Sequence, residues 1–377
     1  MERIYLDHAA TSPVHPDAAK AMMEVLTKTF GNPSSIHSFG RDARRIIDEA
    51  RTVIADTMNG GFNDIIFTGS GTEADNLAIF GTARLKKNGH IITTAVEHHA
   101  VLHACEALEK EGFDVTYLPV DETGVVSAAD VKSALRDDTF LVSVMYGNNE
   151  TGAIQPIKEI GILLQDHPAV FHVDAVQAYG ILPIDVKELH VDFLAVSGHK
   201  INGPKGIGVL YAKSGVPLSP FLFGGEQERK RRPGTENTAA IAGMAAAASV
   251  AVQSMEERTN HYRELKSLFI ETLKKHNVAF SRNGKVDESL AHVLNLFFPG
   301  TDVEAFLVNL DMEGIAASSG SACTAGSIEP SHVLTAMFGA DSGKLRSSIR
   351  FSFGLYNTKE QIVQAAEKTA NIVKRLS

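Results

Sequence analysis

The sequence has no tryptophan and only two cysteines, Cys105 and Cys323, in 377 residues. So few thiols exclude a disulfide-stapled framework and fit a reducing compartment, which makes the cytoplasm the expected location. No C-x-x-C or H-E-x-x-H pattern occurs, so no intrinsic metal site is expected. Long hydrophobic runs are missing as well. The most apolar stretch, Ala239–Val252, is rich in alanine and too short to span a bilayer. The opening Met1–Thr11 carries charge without the apolar centre of a signal peptide. With 13 prolines and 31 glycines there is no low-complexity segment and no internal repeat. The 36 basic side chains fall short of the 45 acidic ones, a formal net charge of −9. That balance argues against a protein that coats nucleic acid, because phosphate binding needs a basic face.

What is present is ordinary for a soluble globular chain: 44% apolar and 21% charged residues. At roughly 150 residues per domain, the length points to two or three domains. Seven short β-rich runs lie at Ile65–Thr68, Ile91–Thr94, Val115–Leu118, Phe140–Met145, Val170–Val173, Phe193–Val196 and Gly208–Ala212. Helical patterns fall between several of them, among them Glu73–Lys87, Val101–Glu111, Ala128–Arg136 and Ile157–Gln165. Near-continuous apolar strands alternating with helices predict an α/β fold with a mostly parallel sheet covered on both faces. After about Ala239 the character changes. One long helical region, Thr238 to about Lys275, leads to strands at Val293–Phe298 and Ile349–Phe353 and a terminal helix Lys359–Arg375, a smaller α+β part. Ligands of open α/β sheets bind beyond the carboxyl ends of the strands, so polar clusters that follow strands are the places to search.

Several clusters stand there. Thr68–Asp75, rich in glycine between strand and helix, offers close backbone approach and a helix N-terminus to a phosphate; a plain turn capped by Ser70 or Thr72 is the alternative. Lys200, in Val196-Ser-Gly-His-Lys200, leaves a buried strand among small residues and is a candidate Schiff-base nucleophile, or else a surface lysine. Asp174 ends an apolar strand, where a carboxylate needs a cationic or donor partner; a cap for the next segment is the other reading. Glu97-His98-His99 is poorly spaced for a metal, and a capping or stacking histidine explains it better. Cys323 lies among small and polar residues, Ala317–Gly326, as in an exposed, reactive loop, whereas Cys105 sits on a helical pattern and reads as core. The basic run Arg229–Arg232 is a solvated loop or a site for a phosphate or acidic partner. Arg350, within a strand pattern, needs a partner that a substrate carboxylate could supply.

Taken together and in order, Tyr5–Thr11, Gly31–His37, Ser70–Asn76, Asn148–Gly152, His172–Gln177, Ser197–Lys200 and Ser318–Cys323 resemble the cysteine desulfurases of the NifS/IscS type, within the class-V aminotransferase family. The likeness runs from residue 5 to about 354. It implies the fold-type-I architecture of pyridoxal phosphate enzymes, with a large domain over residues 15–256 and a small domain of residues 1–14 and 257–377. It further implies a homodimer. By the same resemblance Lys200 holds the cofactor and moves a proton, and His98 stacks on its ring. Asp174 partners the ring nitrogen and Gln177 the phenolic oxygen. Gly71, Thr72, Ser197 and His199 cradle the phosphate, with Thr235 reaching it from the other subunit. Asn149 contacts substrate and cofactor, Arg350 grips the substrate carboxylate, and Cys323 takes the sulfur.

The long segment around Cys323 resembles the long-loop group, which implies handover of sulfur to an acceptor for iron–sulfur cluster assembly or tRNA thiolation, with at most a transient iron–sulfur contact at Cys323. A selenocysteine lyase, an aminotransferase, a cofactor-free scaffold and an RNA-binding module are the competing readings. An aminotransferase has no need of Cys323, and the basic run lacks the aromatic residues that RNA binding favours.

Overall fold

The computed structural model describes residues 3–320 and 330–376. After a short strand β1 (Ile4–Tyr5), helices α1 (Pro16–Lys28) and α2 (Ser38–Asp56) precede a run of alternating elements: β2 (Ile65–Thr68), α3 (Gly71–Ala83), β3 (His90–Thr94), α4 (His99–Lys110), β4 (Asp114–Leu118), α5 (Ala128–Ala134), β5 (Thr139–Ser143), α6 (Ile157–Leu164) and β6 (Val170–Asp174). Strands β7 (Phe193–Ser197) and β8 (Gly208–Ala212) come next, then α7 (Thr238–Gln253) and α8 (Met255–Lys275). The rest of the chain carries β9 (Ser281–Asn283), β10 (Val293–Phe297), α9 (Val303–Met312), β11 (Ile315–Ala316), α10 (His332–Phe338), β12 (Ser348–Ser352) and α11 (Lys359–Leu376).

The seven strands read from the sequence form one sheet in the order β2-β8-β7-β6-β5-β3-β4. Pairing is parallel from β4 through β7, while β8 runs antiparallel to both of its neighbours. The short connection over residues 198–207 explains that reversal: it leaves no room for the crossover a parallel partner needs. Strands β2, β3, β5, β7 and β8 are buried along their whole length, as uninterrupted apolar runs require when helices cover both faces.

A second core gathers Ile4 and Leu6 with Leu265, Phe269, Leu294, Phe351 and Ile362, around the three-stranded sheet β12-β10-β9 and the parallel pair β1–β11. The single helical region expected from Thr238 to Lys275 is in fact two helices, bent by 73°. The break falls at Ser254, whose hydroxyl donates to Val250 O at 2.6 Å. The two helices serve different cores: α7 packs Ala240, Met244 and Ala248 against the large sheet, whereas α8 packs Tyr262, Leu265 and Phe269 into the second cluster. One straight helix could not do both.

Candidate active site

A cavity of about 380 Å³ opens at the carboxyl ends of β2, β6 and β7, a volume within the range of small-molecule sites. One end is the N-terminus of α3. Ser70 caps that helix by accepting from Glu73 N at 3.1 Å, which leaves the N–H groups of Gly71 and Thr72 at the cavity wall. Gly71 is needed for closeness, since a Cβ there would lie 2.8 Å from Val176 and 3.2 Å from Ser197. The capped turn and the phosphate-type loop, posed as alternatives in the sequence, are one structure. Ser197, at the end of β7, and His199 also line the wall; His199 Nδ1 is 3.1 Å from the Thr11 hydroxyl.

The other end is acidic. Asp174 closes β6 and is 5% exposed. One oxygen accepts from Val176 N at 2.9 Å, and burial pushes its pKa up to about 6 despite that bond and the nearby Lys200 charge. Behind it, Asp75 and His172 are fully buried, 3.4 Å apart, each with an atom lacking a hydrogen-bond partner. Burial and then the neighbouring acids Asp174 and Glu97 raise the Asp75 carboxyl well above its usual range.

Lys200 lines the same cavity. Its Nζ donates to Ala9 O at 2.6 Å and Ala10 O at 2.7 Å. Burial, reinforced by the Arg350 charge, lowers its pKa to about 8. Gln177 donates to the same Ala9 O at 2.9 Å, with its carbonyl 3.1 Å from His292 Nε2. His98 caps α4: its Nδ1 accepts from Ala100 N at 3.1 Å, so the ring proton of the neutral form sits on Nε2. Desolvation, then Lys200 and the histidines around it, lower its pKa to about 4. His99 packs between His103 and His332, with centroids at 4.9 and 4.7 Å.

At the rim stands Arg350, 4% exposed. Its Nη1 donates to Asn149 O at 3.0 Å and its Nη2 to Asp7 at 2.7 Å, while Nε has no partner among the described residues. Asn149 lines the cavity beside it, as do Ser318 and Gly320.

Ten of the residues named from the sequence thus meet in one cavity: Gly71, Thr72, His98, Asn149, Asp174, Gln177, Ser197, His199, Lys200 and Arg350. Thr235 does not join them within this chain; it is exposed, on the segment before α7. Cys323 lies outside the described residues. Cys105 is buried in α4, and burial drives its thiol pKa far up, as its core reading requires. In the basic run Arg229 and Lys230 are exposed, as a solvated loop requires, while Arg231 and Arg232 are half-buried; Arg229 lies over the Phe62 ring and Arg232 pairs with Glu73 at 2.8 Å. Sequence reasoning missed Asp7, Asp75, Glu97 and Glu150. All four stand inside or beside motifs already singled out, but nothing local shows that Asp7 meets Arg350 or that Glu150 accepts from Ser331.

Residues 4–364 match the aminotransferase class-V family model. The chain belongs to the aminotransferase class-V family. It is 61% identical to the Bacillus subtilis (strain 168) protein named "Putative cysteine desulfurase IscS 1", covering all of both chains. It is 46% identical to the cysteine desulfurase IscS of Methanosarcina thermophila over 99% of this chain and 92% of that one. Among solved structures, a NifS-like protein superposes over the full length of both chains with a TM-score of 0.93 at 33% identity. A class-V aminotransferase fold of this kind is a pyridoxal phosphate architecture, and the cavity fits that group: backbone N–H groups and Ser197 suit a phosphate, a buried carboxylate suits a pyridinium, and a lysine of lowered pKa lines the same cavity.

Proposed function

We propose that this chain is a pyridoxal phosphate-dependent cysteine desulfurase, converting L-cysteine to L-alanine and leaving the sulfur as a persulfide on Cys323. The observation that carries this reading is the placement of Lys200, Asp174 and the α3 N-terminus around one cavity, with Arg350 at its rim. When bound, the cofactor supplies an electron sink for carbanion chemistry. The chain's own residues do the rest. Gly71, Thr72, Ser197 and His199 hold the phosphate, and Asp174 is the anion for the ring nitrogen. Gln177 is the amide for the phenolic oxygen. Lys200 is neutral for a substantial fraction of the time near pH 8, so it would hold the cofactor through its amine and is the group to move a proton at the substrate Cα. His98 presents Nε2–H as a neutral donor.

Arg350, in the cavity wall with Asn149, takes the substrate carboxylate. Cys323 Sγ forms the new S–S bond while the substrate Cβ–S bond breaks. The thiol and L-cysteine together become persulfide and L-alanine, so no external oxidant is needed.

The same reading has a second copy completing the site with Thr235. Exposed apolar side chains around α1 and the start of α2, including Leu26, Phe30, Ile36 and Phe39, support such a homodimer. We also place the domain division at residues 15–256 against 1–14 and 257–377, the protein in the cytoplasm, and the sulfur with an acceptor protein of iron–sulfur assembly or tRNA thiolation. The free, buried thiol of Cys105 suits a reducing compartment.

The test is to feed L-cysteine to the purified protein and assay alanine and protein persulfide. Cys323→Ser is expected to abolish the persulfide while keeping the cofactor's visible absorbance. Sulfur release at the wild-type rate from that variant would remove Cys323 from its role.

A further inference from the structure

Strand β2 is an edge of the seven-stranded sheet, and an open edge needs cover. Two side chains far apart in sequence supply it. Arg51 of α2 donates through Nη1 to Ile65 O at 2.5 Å, and Phe67 N donates to Glu228 Oε2 at 3.0 Å. Arg51 and Glu228 bind each other twice, Nη1 to Oε2 at 2.8 Å and Nη2 to Oε1 at 2.5 Å. Both are buried, and the guanidinium lies 4.9 Å from the Phe67 ring centroid. The pair takes the place of a neighbouring strand.

Glu228 also opens an unusual turn. It and the next two residues, Arg229 and Lys230, have φ of 47°, 56° and 65°, three successive side-chain-bearing residues in the left-handed region, which sterics disfavour. Such a turn persists only where its surroundings hold it, and the Arg51–Glu228 pair is that hold. From the turn the chain reaches Arg232, whose Nε donates to Glu73 Oε1 at 2.8 Å. Glu73 in turn accepts from Gly69 N at 2.7 Å through Oε2 and donates its own N–H to Ser70 Oγ. Glu73 therefore shapes the turn at the α3 N-terminus. Left unpaired, its carboxylate would repel a phosphate dianion there; Arg232 offsets it.

We infer that the Arg51–Glu228 pair and the left-handed turn it holds form a positioning device for the phosphate end of the cavity, delivering Arg232 to Glu73. This rests on the reading of the cavity as a pyridoxal phosphate site. The experiment titrates cofactor-free, full-length protein with pyridoxal 5′-phosphate and separately with pyridoxal, which lacks the phosphate, following visible absorbance.

Arg232→Gln, at a half-buried position, is expected to weaken binding of the phosphorylated form ~5-fold or more, the size of a charge effect at a helix N-terminus. Pyridoxal affinity stays within about twofold. Glu228→Gln strands a buried arginine and can unfold the protein. The double variant Arg51→Met with Glu228→Met, an apolar pair of similar length, strands no buried charge, gives up the bonds to Ile65 O and Phe67 N, and shows the same phosphate-selective loss. A purely structural role would weaken both ligands alike. An unchanged ratio of the two affinities in Arg232→Gln and in the double variant overturns the inference and leaves the cofactor reading standing. A wild-type protein that binds neither ligand, or binding of both that survives Lys200→Ala unaltered, overturns that reading and the inference with it.

Discussion

The molecule buries two arginines against carboxylates and uses them in opposite ways. Arg51, 3% exposed, spends its Nη groups on Glu228 and Ile65 O and lies over the rings of Phe67 and Phe62. Arg350, 4% exposed, makes one bond to Asp7 and one to Asn149 O at a cavity wall, and its Nε has no partner among the described residues. Burial alone does not separate a structural arginine from a binding one. Position does: Arg350 lines the candidate active-site cavity, where a ligand carboxylate can meet its donors, and Arg51 does not.

The comparison breaks first on stability. Arg51→Ala leaves Glu228 buried, unpaired and attached to a strained turn, an expected loss of about 3–5 kcal/mol in denaturant unfolding. Arg350→Ala leaves Asp7, whose side chain keeps 21% exposure, within reach of water, and its loss should be clearly smaller. Equal losses would mean that Arg350 is as structural as Arg51.

Neither pair could be read from the sequence, and the reason is physical. Arg51 and Glu228 are 177 residues apart, and Arg350 and Asp7 are 343 apart. What proved legible was local: strands that are uninterrupted apolar runs, such as Ile65–Thr68 and Gly208–Ala212, and the polar residues directly after them. Lys200, Asp174 and Ser197 stand at carboxyl ends of strands, so one topological rule pointed to all three. The partners of the basic run, Glu73 and Phe62, were not legible because they come from a different stretch of chain. The break at Ser254 was missed because a helical pattern in sequence does not say which core each half will serve.

A second test concerns binding. Arg350→Lys keeps the charge and loses the planar fork, so kcat/KM for L-cysteine should fall about 10- to 100-fold, mostly through KM, the scale of losing one charge-assisted bond in a site. Initial-rate kinetics at saturating cofactor would check it. Thermal stability should move little, which is the reverse of the pattern at Arg51.

The smallest effect separates the two arginines electrostatically. Burial first and the Arg350 charge second hold the Lys200 ammonium down from 10.5 to about 8, with Asp7 and Asp174 opposing. The neutral amine is the form that attacks the pyridoxal carbonyl, so the rate of cofactor reconstitution should climb with pH and level off above about 8. Between about 8 and 10.5 the unfolded chain keeps the proton that folded Lys200 has lost. Its contribution to stability of the cofactor-free protein therefore rises with pH across that window and is flat below it, where both states carry the proton. Arg350→Gln removes a like charge, so Lys200 should hold its proton more tightly and the reconstitution midpoint should move alkaline. Arg51 does not line this cavity, and the double variant Arg51→Met with Glu228→Met should leave the midpoint in place. A midpoint unmoved by Arg350→Gln would show that the cavity arginine acts on substrate alone, through its donors and not through its field.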